Sequence, residues 1–143
     1  MDIDLINETP MILPKRALIV EDNPINAQIA AVQLKDIGFE VDAVRDGAMA
    51  IEKFSESEEG YYGLILMDLM MPVMNGMEAA KAIRELDRSD AGIVPIVAVS
   101  ANSYPEYTKD IEENGVNCFI TKPYNKKQIQ ELAMKLTGNA VVQ

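Results

Sequence analysis

Residues 64–76 read LILMDLMMPVMNG. Four apolar residues run into one carboxylate, Asp68, and the chain then turns apolar again before Pro72 and an Asn-Gly turn. An unbroken apolar run of this length suits a strand buried on both faces, as in a parallel sheet. Asp68 then stands where strand becomes loop. Alone it reads equally as a turn residue or as a functional group, so the rest of the chain has to decide.

Similar runs recur on both sides. Residues 17–20 (ALIV) form a short strand ending at Glu21-Asp22-Asn23-Pro24. Asn23 suits an N-cap there and Pro24 the first helical position. Ile25, Ile29 and Val32 recur at helical spacing, and Gly38 stops that helix. A second strand is predicted over 40–44. Asp46 then caps a helix with Ala50, Ile51 and Phe54 facing inward. Met77, Ala80, Ile83 and Leu86 predict a helix over 77–86, followed by strands at 95–99 and 118–120. Ile129, Leu132 and Leu136 form the stripe of a last helix, 128–136. The 104–115 stretch reads as a polar helix with only Tyr107 and Ile111 as anchors, so it is expected to be the least firmly packed. Five βα units in series predict an α/β fold, a parallel sheet with helices on both faces.

Composition narrows the function. At 143 residues with 48% hydrophobic, the chain suits one domain with one core. No apolar run is long enough to cross a bilayer, and the acidic start lacks the pattern of a signal peptide. We expect a linker or extension over 1–14, the domain over 15–138, a tail over 139–143, and no membrane contact. The single cysteine, Cys118, permits no internal disulfide framework; it fits a reducing cytoplasm and a small core position. A net charge of −10 opposes nucleic-acid binding. The chain has no histidine, which excludes serine–histidine hydrolysis and a histidine phosphoryl carrier within it.

Ligands of open parallel sheets bind beyond the carboxyl ends of the strands. Those ends carry Glu21 and Asp22, Asp68, Ser100, and Thr121-Lys122-Pro123. Converging carboxylates repel unless a cation neutralises them, and oxygen-only ligands favour Mg²⁺. A cation, the Lys122 ammonium and the Ser100 hydroxyl around Asp68 are the equipment for phosphoryl transfer, with Asp68 as nucleophile. Singly, each piece has a plainer reading. Glu21 and Asp22 suit a charged first turn, Ser100 a cap, and Lys122 a solvated lysine. Their common edge favours a site.

The segments VEDNPIN (20–26), LILMDLMMPVMNG, VAVSA (97–101) and TKP (121–123), in this order, resemble the receiver domain of two-component response regulators. The wording EDNPIN with MDLMMPVMNGMEAA is more similar to the receivers of hybrid sensor histidine kinases. The resemblance implies a flavodoxin-like (βα)5 three-layer sandwich with strand order 2-1-3-4-5. It also implies Asp68 as phosphoacceptor, and Mg²⁺ held by Glu21, Asp22, Asp68 and the Met70 backbone carbonyl. Lys122 becomes the phosphoryl-binding lysine, preceding a cis proline, and Ser100 the switch hydroxyl. Phe119 takes an aromatic switch position where many members carry Tyr, so it lacks that hydroxyl. Met70 and Asn102 would tune the phosphoryl lifetime.

The implied partner is a sensor histidine kinase or a histidine phosphotransfer protein, with the 104–136 face as response surface and a homodimer through it compatible. The domain would catalyse its own phosphorylation and dephosphorylation, without independent turnover of substrate. Output would pass through a partner or a detached domain. A haloacid-dehalogenase-type phosphohydrolase would need a second acid two residues after its nucleophile on strand one, where Pro24 stands. A nucleotide-binding fold would need a Gly-rich or hydroxyl-rich loop where Glu21 and Asp22 repel phosphate. A pseudo-receiver, an interaction module without phosphorylation, remains the alternative, although the acids and lysine it commonly lacks are all present.

Overall fold

The computed structural model describes residues 12–69, 75–101 and 113–139. Within them the strands are β1 (Arg16–Val20), β2 (Glu40–Val44), β3 (Leu64–Asp68), β4 (Ile96–Ser100) and β5 (Cys118–Thr121). The helices are α1 (Pro24–Lys35), α2 (Gly47–Glu56), α3 (Gly76–Arg84) and α4 (Lys126–Leu136). All strand pairs are parallel and the sheet order is β2-β1-β3-β4-β5. This is the α/β flavodoxin-like architecture that the resemblance implies. Among the described residues no helix is long and apolar enough to cross a membrane.

The unbroken apolar strands are explained by two cores, one on each side of the sheet. Leu18, Val20, Ile65, Met67, Ile96 and Ala98 pack with α2 and α3 through Ala50, Phe54, Ala80 and Ile83. Ala17, Ile19, Leu64, Leu66, Val97 and Val99 pack with α1 and α4 through Ala30, Leu34, Ile129 and Ala133. Successive side chains alternate between the two, as the pleat of a strand requires.

Helix starts follow local chemistry. Asn23 Oδ1 accepts from the amides of Ile25 and Asn26, with Pro24 at the first helical position. Asp46 caps α2, while Asn75 and Asn125 form reciprocal capping boxes with Glu78 and Gln128. Gly38 ends the turn after α1 at φ +95°, a conformation that favours glycine.

The helix predicted from Ile25, Ile29 and Val32 is present, but those residues do not form its packed face; they are 67%, 51% and 52% exposed. Ala27, Ala30 and Leu34 face the sheet instead. The helix carries apolar residues on opposite sides, so spacing alone does not choose the face. Small alanines let the helix lie close to the strands, which leaves the branched residues outside. Cys118 is only half-buried beside the α1/α4 core, and burial pushes its thiol pKa up. Met70 and Asn102, the anchors Tyr107 and Ile111, and most of the 104–115 stretch lie outside the described residues.

Candidate functional site

The alternation of the strands decides which end residues meet. Glu21 continues the Ala17–Ile19 side of β1, Asp68 the Leu64–Leu66 side of β3, and Lys122 the Cys118–Ile120 side of β5. All three therefore leave the sheet on the α1/α4 side of its carboxyl edge. Ser100 follows Ile96 and Ala98 and so belongs to the α2/α3 side.

Register brings the ends level. Val20 pairs with Met67, Asp68 with Val99, and Ser100 with Thr121. The Glu21 amide donates to the Val44 carbonyl at 3.0 Å, and the Leu69 amide to the Val99 carbonyl at 3.1 Å. The Lys122 amide donates to the Ser100 carbonyl at 2.7 Å. Each functional residue is thus held by the last rung of a ladder or the bond just beyond it.

One carboxylate oxygen from each of Glu21, Asp22 and Asp68 lies within 4.8 Å of the other two. Glu21 and Asp68 are buried, and Asp22 is exposed. The Lys122 ammonium donates to Glu21 Oε1 at 3.1 Å and to Asp68 Oδ2 at 3.3 Å. The Asn23 amide donates to Glu21 Oε2 at 3.1 Å. Ser100 is buried immediately beyond Val99, the register partner of Asp68. Lys122 precedes a cis peptide bond to Pro123, as the resemblance implies.

Electrostatics follow from this crowding. Burial raises the Glu21 pKa, and the negative Asp68 adds to the rise against the opposing Asn23 amide and Lys122. Burial works to lower the Lys122 pKa, but its hydrogen bonds and attraction to Glu21 and Asp68 leave it raised. A cationic lysine between two buried acids is the result.

The donor set fits a hard divalent cation. It offers three carboxylates and no imidazole, while Cys118 starts β5 at the opposite edge of the sheet. Beside the acids runs an open groove of about 390 Å³ lined by Glu21, Asn26, Ile29, Lys122, Pro123 and Tyr124. Burial raises the Tyr124 hydroxyl pKa.

The structure thus places Glu21, Asp22, Asp68 and Lys122 together, and Ser100 at the end of the neighbouring strand β4. Phe119 is partly buried against the α2/α3 core, below Ser100 on the neighbouring strand. Asn26, in the first turn of α1, and Tyr124, three residues beyond β5, also line the groove.

Comparison with known proteins agrees with this geometry. The family described as response regulator receiver domain matches residues 17–134. The chain is 35% identical over 122 residues to hybrid signal transduction histidine kinase I of Dictyostelium discoideum, covering 84% of this chain and 7% of that protein. It is 34% identical over 128 residues to sensor protein GacS of Pseudomonas syringae pv. syringae, covering 88% of this chain and 14% of that one. Among solved structures, one similar fold is the receiver domain of a Pseudomonas aeruginosa sensor histidine kinase with magnesium coordinated in its active-site cleft. It aligns at TM-score 0.78 and 29% identity, over 88% of this chain and 99% of that one. Chemotaxis response regulator CheY4 of Vibrio cholerae aligns at TM-score 0.77 and 27% identity, over 89% and 99%.

Proposed function

Because the chain belongs to the response regulator receiver domain family, we propose that it is a phosphorylation switch whose acceptor is Asp68. The observation that carries this reading is the meeting of Glu21, Asp22 and Asp68 within 4.8 Å, with Lys122 bridging two of them.

A carboxylate oxygen of Asp68 attacks the phosphorus of a phosphohistidine on a sensor kinase or phosphotransfer protein. The P–N bond breaks, its electron pair stays with the donor imidazole, and Asp68 becomes an acyl phosphate. Water later attacks the phosphorus, restoring the Asp68 carboxylate and releasing inorganic phosphate. Lys122 exchanges its bond to Asp68 Oδ2 for a phosphoryl oxygen. Ser100 takes a second phosphoryl oxygen by donating its hydroxyl proton in a hydrogen bond.

Glu21, Asp22 and Asp68, with the Met70 carbonyl, would hold Mg²⁺, which supplies charge neutralisation for the phosphoryl oxygens when bound. Ser100 and Phe119 form the switch, and Met70 and Asn102 govern access of water. A protein donor has to cover the mouth of the site, and the exposed Ile29 of α1 lines the groove beside it.

Phosphotransfer from histidine-phosphorylated donor proteins tests the reading. Radiolabel should move to this chain only with Mg²⁺ present and should fail to move to Asp68→Asn. Label that appears equally on Asp68→Asn would place the acceptor elsewhere. A protein that takes label from neither donors nor acetyl phosphate would be a pseudo-receiver.

A further inference from the structure

Gly76 opens α3 directly against the backbone that carries Asp68. A Cβ at Gly76 would stand 2.5 Å from the Asp68 carbonyl oxygen and 3.0 Å from both Leu69 Cα and Met67 Cγ. Two of those atoms are backbone, so a side chain here displaces the Asp68–Leu69 peptide rather than a flexible tip. Gly76 is helical, with no left-handed backbone to explain the glycine. Alanine would serve the helix better. Space is the reason for the glycine.

That space lets two elements grip one residue, Leu69, by its amide and its carbonyl. The Leu69 amide donates to Val99 on β4 at 3.1 Å, and the Gly76 amide donates to the Leu69 carbonyl at 3.3 Å. The capping box of Asn75 and Glu78 fixes the end of α3 that makes the second contact, through bonds of 2.9 and 3.2 Å. We infer that Gly76 is a positioning residue for the acceptor: its missing side chain lets α3 set the depth at which the Asp68 carboxylate meets Glu21, Asp22 and Lys122. The inference rests on the reading of Asp68 as acceptor and extends it to the element behind.

Two other glycines supply controls. A Cβ at Gly63 would collide with the Pro14 carbonyl oxygen at the entry to β3, the far end of the same strand. A Cβ at Gly92 meets nothing within 4 Å.

The test compares Gly76→Ala, Gly63→Ala and Gly92→Ala with wild type. It reads thermal unfolding, Mg²⁺ affinity by calorimetry, acetyl-phosphate phosphorylation rate by intact mass, and the Asp68 and Leu69 amide shifts without Mg²⁺. Gly76→Ala should weaken Mg²⁺ binding about tenfold, as loss of an outer support for a ligand does. It should slow phosphorylation by about tenfold or more, with both amide shifts displaced. Gly63→Ala should lower the unfolding temperature and leave Mg²⁺ affinity and rate at wild-type values, and Gly92→Ala should change none of these. Gly76→Ala that loses only thermal stability, as Gly63→Ala does, or that loses nothing, would overturn the inference. If Gly76→Ala does not fold, Asn75→Ala removes the cap without adding bulk. Several-fold weaker Mg²⁺ binding there supports the inference, and unchanged binding overturns it. A wild type that takes up no phosphoryl group contradicts the reading of Asp68 and not its placement, which the Mg²⁺ affinities and amide shifts still decide.

Discussion

The Lys122 ammonium lies 3.3 Å from Asp68 Oδ2 across 54 residues of chain, and its other bond, to Glu21 Oε1, is 3.1 Å. The lysine therefore has two opposed effects. On the proposed phosphorylation reading it would hold a phosphoryl oxygen during transfer, and it would compete with any cation for the same acids. Lys122→Ala should slow acetyl-phosphate phosphorylation by about tenfold or more. The same variant should bind Mg²⁺ about tenfold more tightly, because a nearby positive charge is gone. Calorimetry and intact-mass kinetics on one preparation check both. A parallel fall in affinity and rate would contradict the double role.

The acid cluster is held together at a cost to stability. Removing one of three neighbouring charges by Glu21→Gln should stabilise the Mg²⁺-free protein by about 1 kcal/mol, or roughly 4 °C. Mg²⁺ affinity should fall about tenfold or more in the same variant. Thermal unfolding with and without Mg²⁺ measures both, and a Glu21→Gln protein less stable than wild type would speak against repulsion among the acids.

Away from the site, Arg88 Nε meets Asp90 Oδ1 at 2.6 Å with both side chains nearly buried. The same guanidinium donates to the carbonyl of Phe54 in the last turn of α2 and to those of Ser57 and Glu58 beyond it, and the Gly60 amide donates to Asp90. Burial works to raise the Asp90 pKa, but the Arg88 and Gly60 bonds leave it below its usual 3.8. A depressed carboxyl pKa stabilises the fold above the unfolded value, and that contribution is lost as pH falls through the folded one. Asp90→Asn, which leaves Arg88 buried and unpaired, should cost about 3 kcal/mol at neutral pH. The difference from wild type should shrink below about pH 4. Denaturant unfolding across that range checks the sign, and Mg²⁺ affinity should not move.

Ile29 lines the groove beside Lys122 and is half exposed. Ile29→Asp should leave stability within about 0.5 kcal/mol, since it lies outside the core. Phosphorylation by acetyl phosphate should be unchanged, and transfer from a protein donor should slow by about tenfold. Equal rates from the protein donor would place its contact elsewhere.

How much of this was legible in the sequence depended on which signal each element left. Strand ends were readable because LILMD, ALIV and VAVS are apolar up to one polar residue, and a parallel sheet lines such ends up. Caps at Asn23 and Asp46 were readable because their chemistry is local. The face of α1 was not, because alanines pack the sheet while isoleucines face outward. Nor was the role of Gly76, which is set by how near α3 comes to the Asp68 carbonyl. The pairing of Lys122 with Glu21 as well as Asp68 needed the alternation of three strands at once.

The central claim is that Asp68 receives the phosphoryl group. Incubation with acetyl phosphate and Mg²⁺, followed by intact-mass and peptide mass spectrometry, tests it most directly. The account predicts a gain of one phosphoryl group on the peptide containing Asp68, absent without Mg²⁺ and absent in Asp68→Asn. A gain that persists in Asp68→Asn, or no gain in the wild type at any Mg²⁺ concentration, would contradict it.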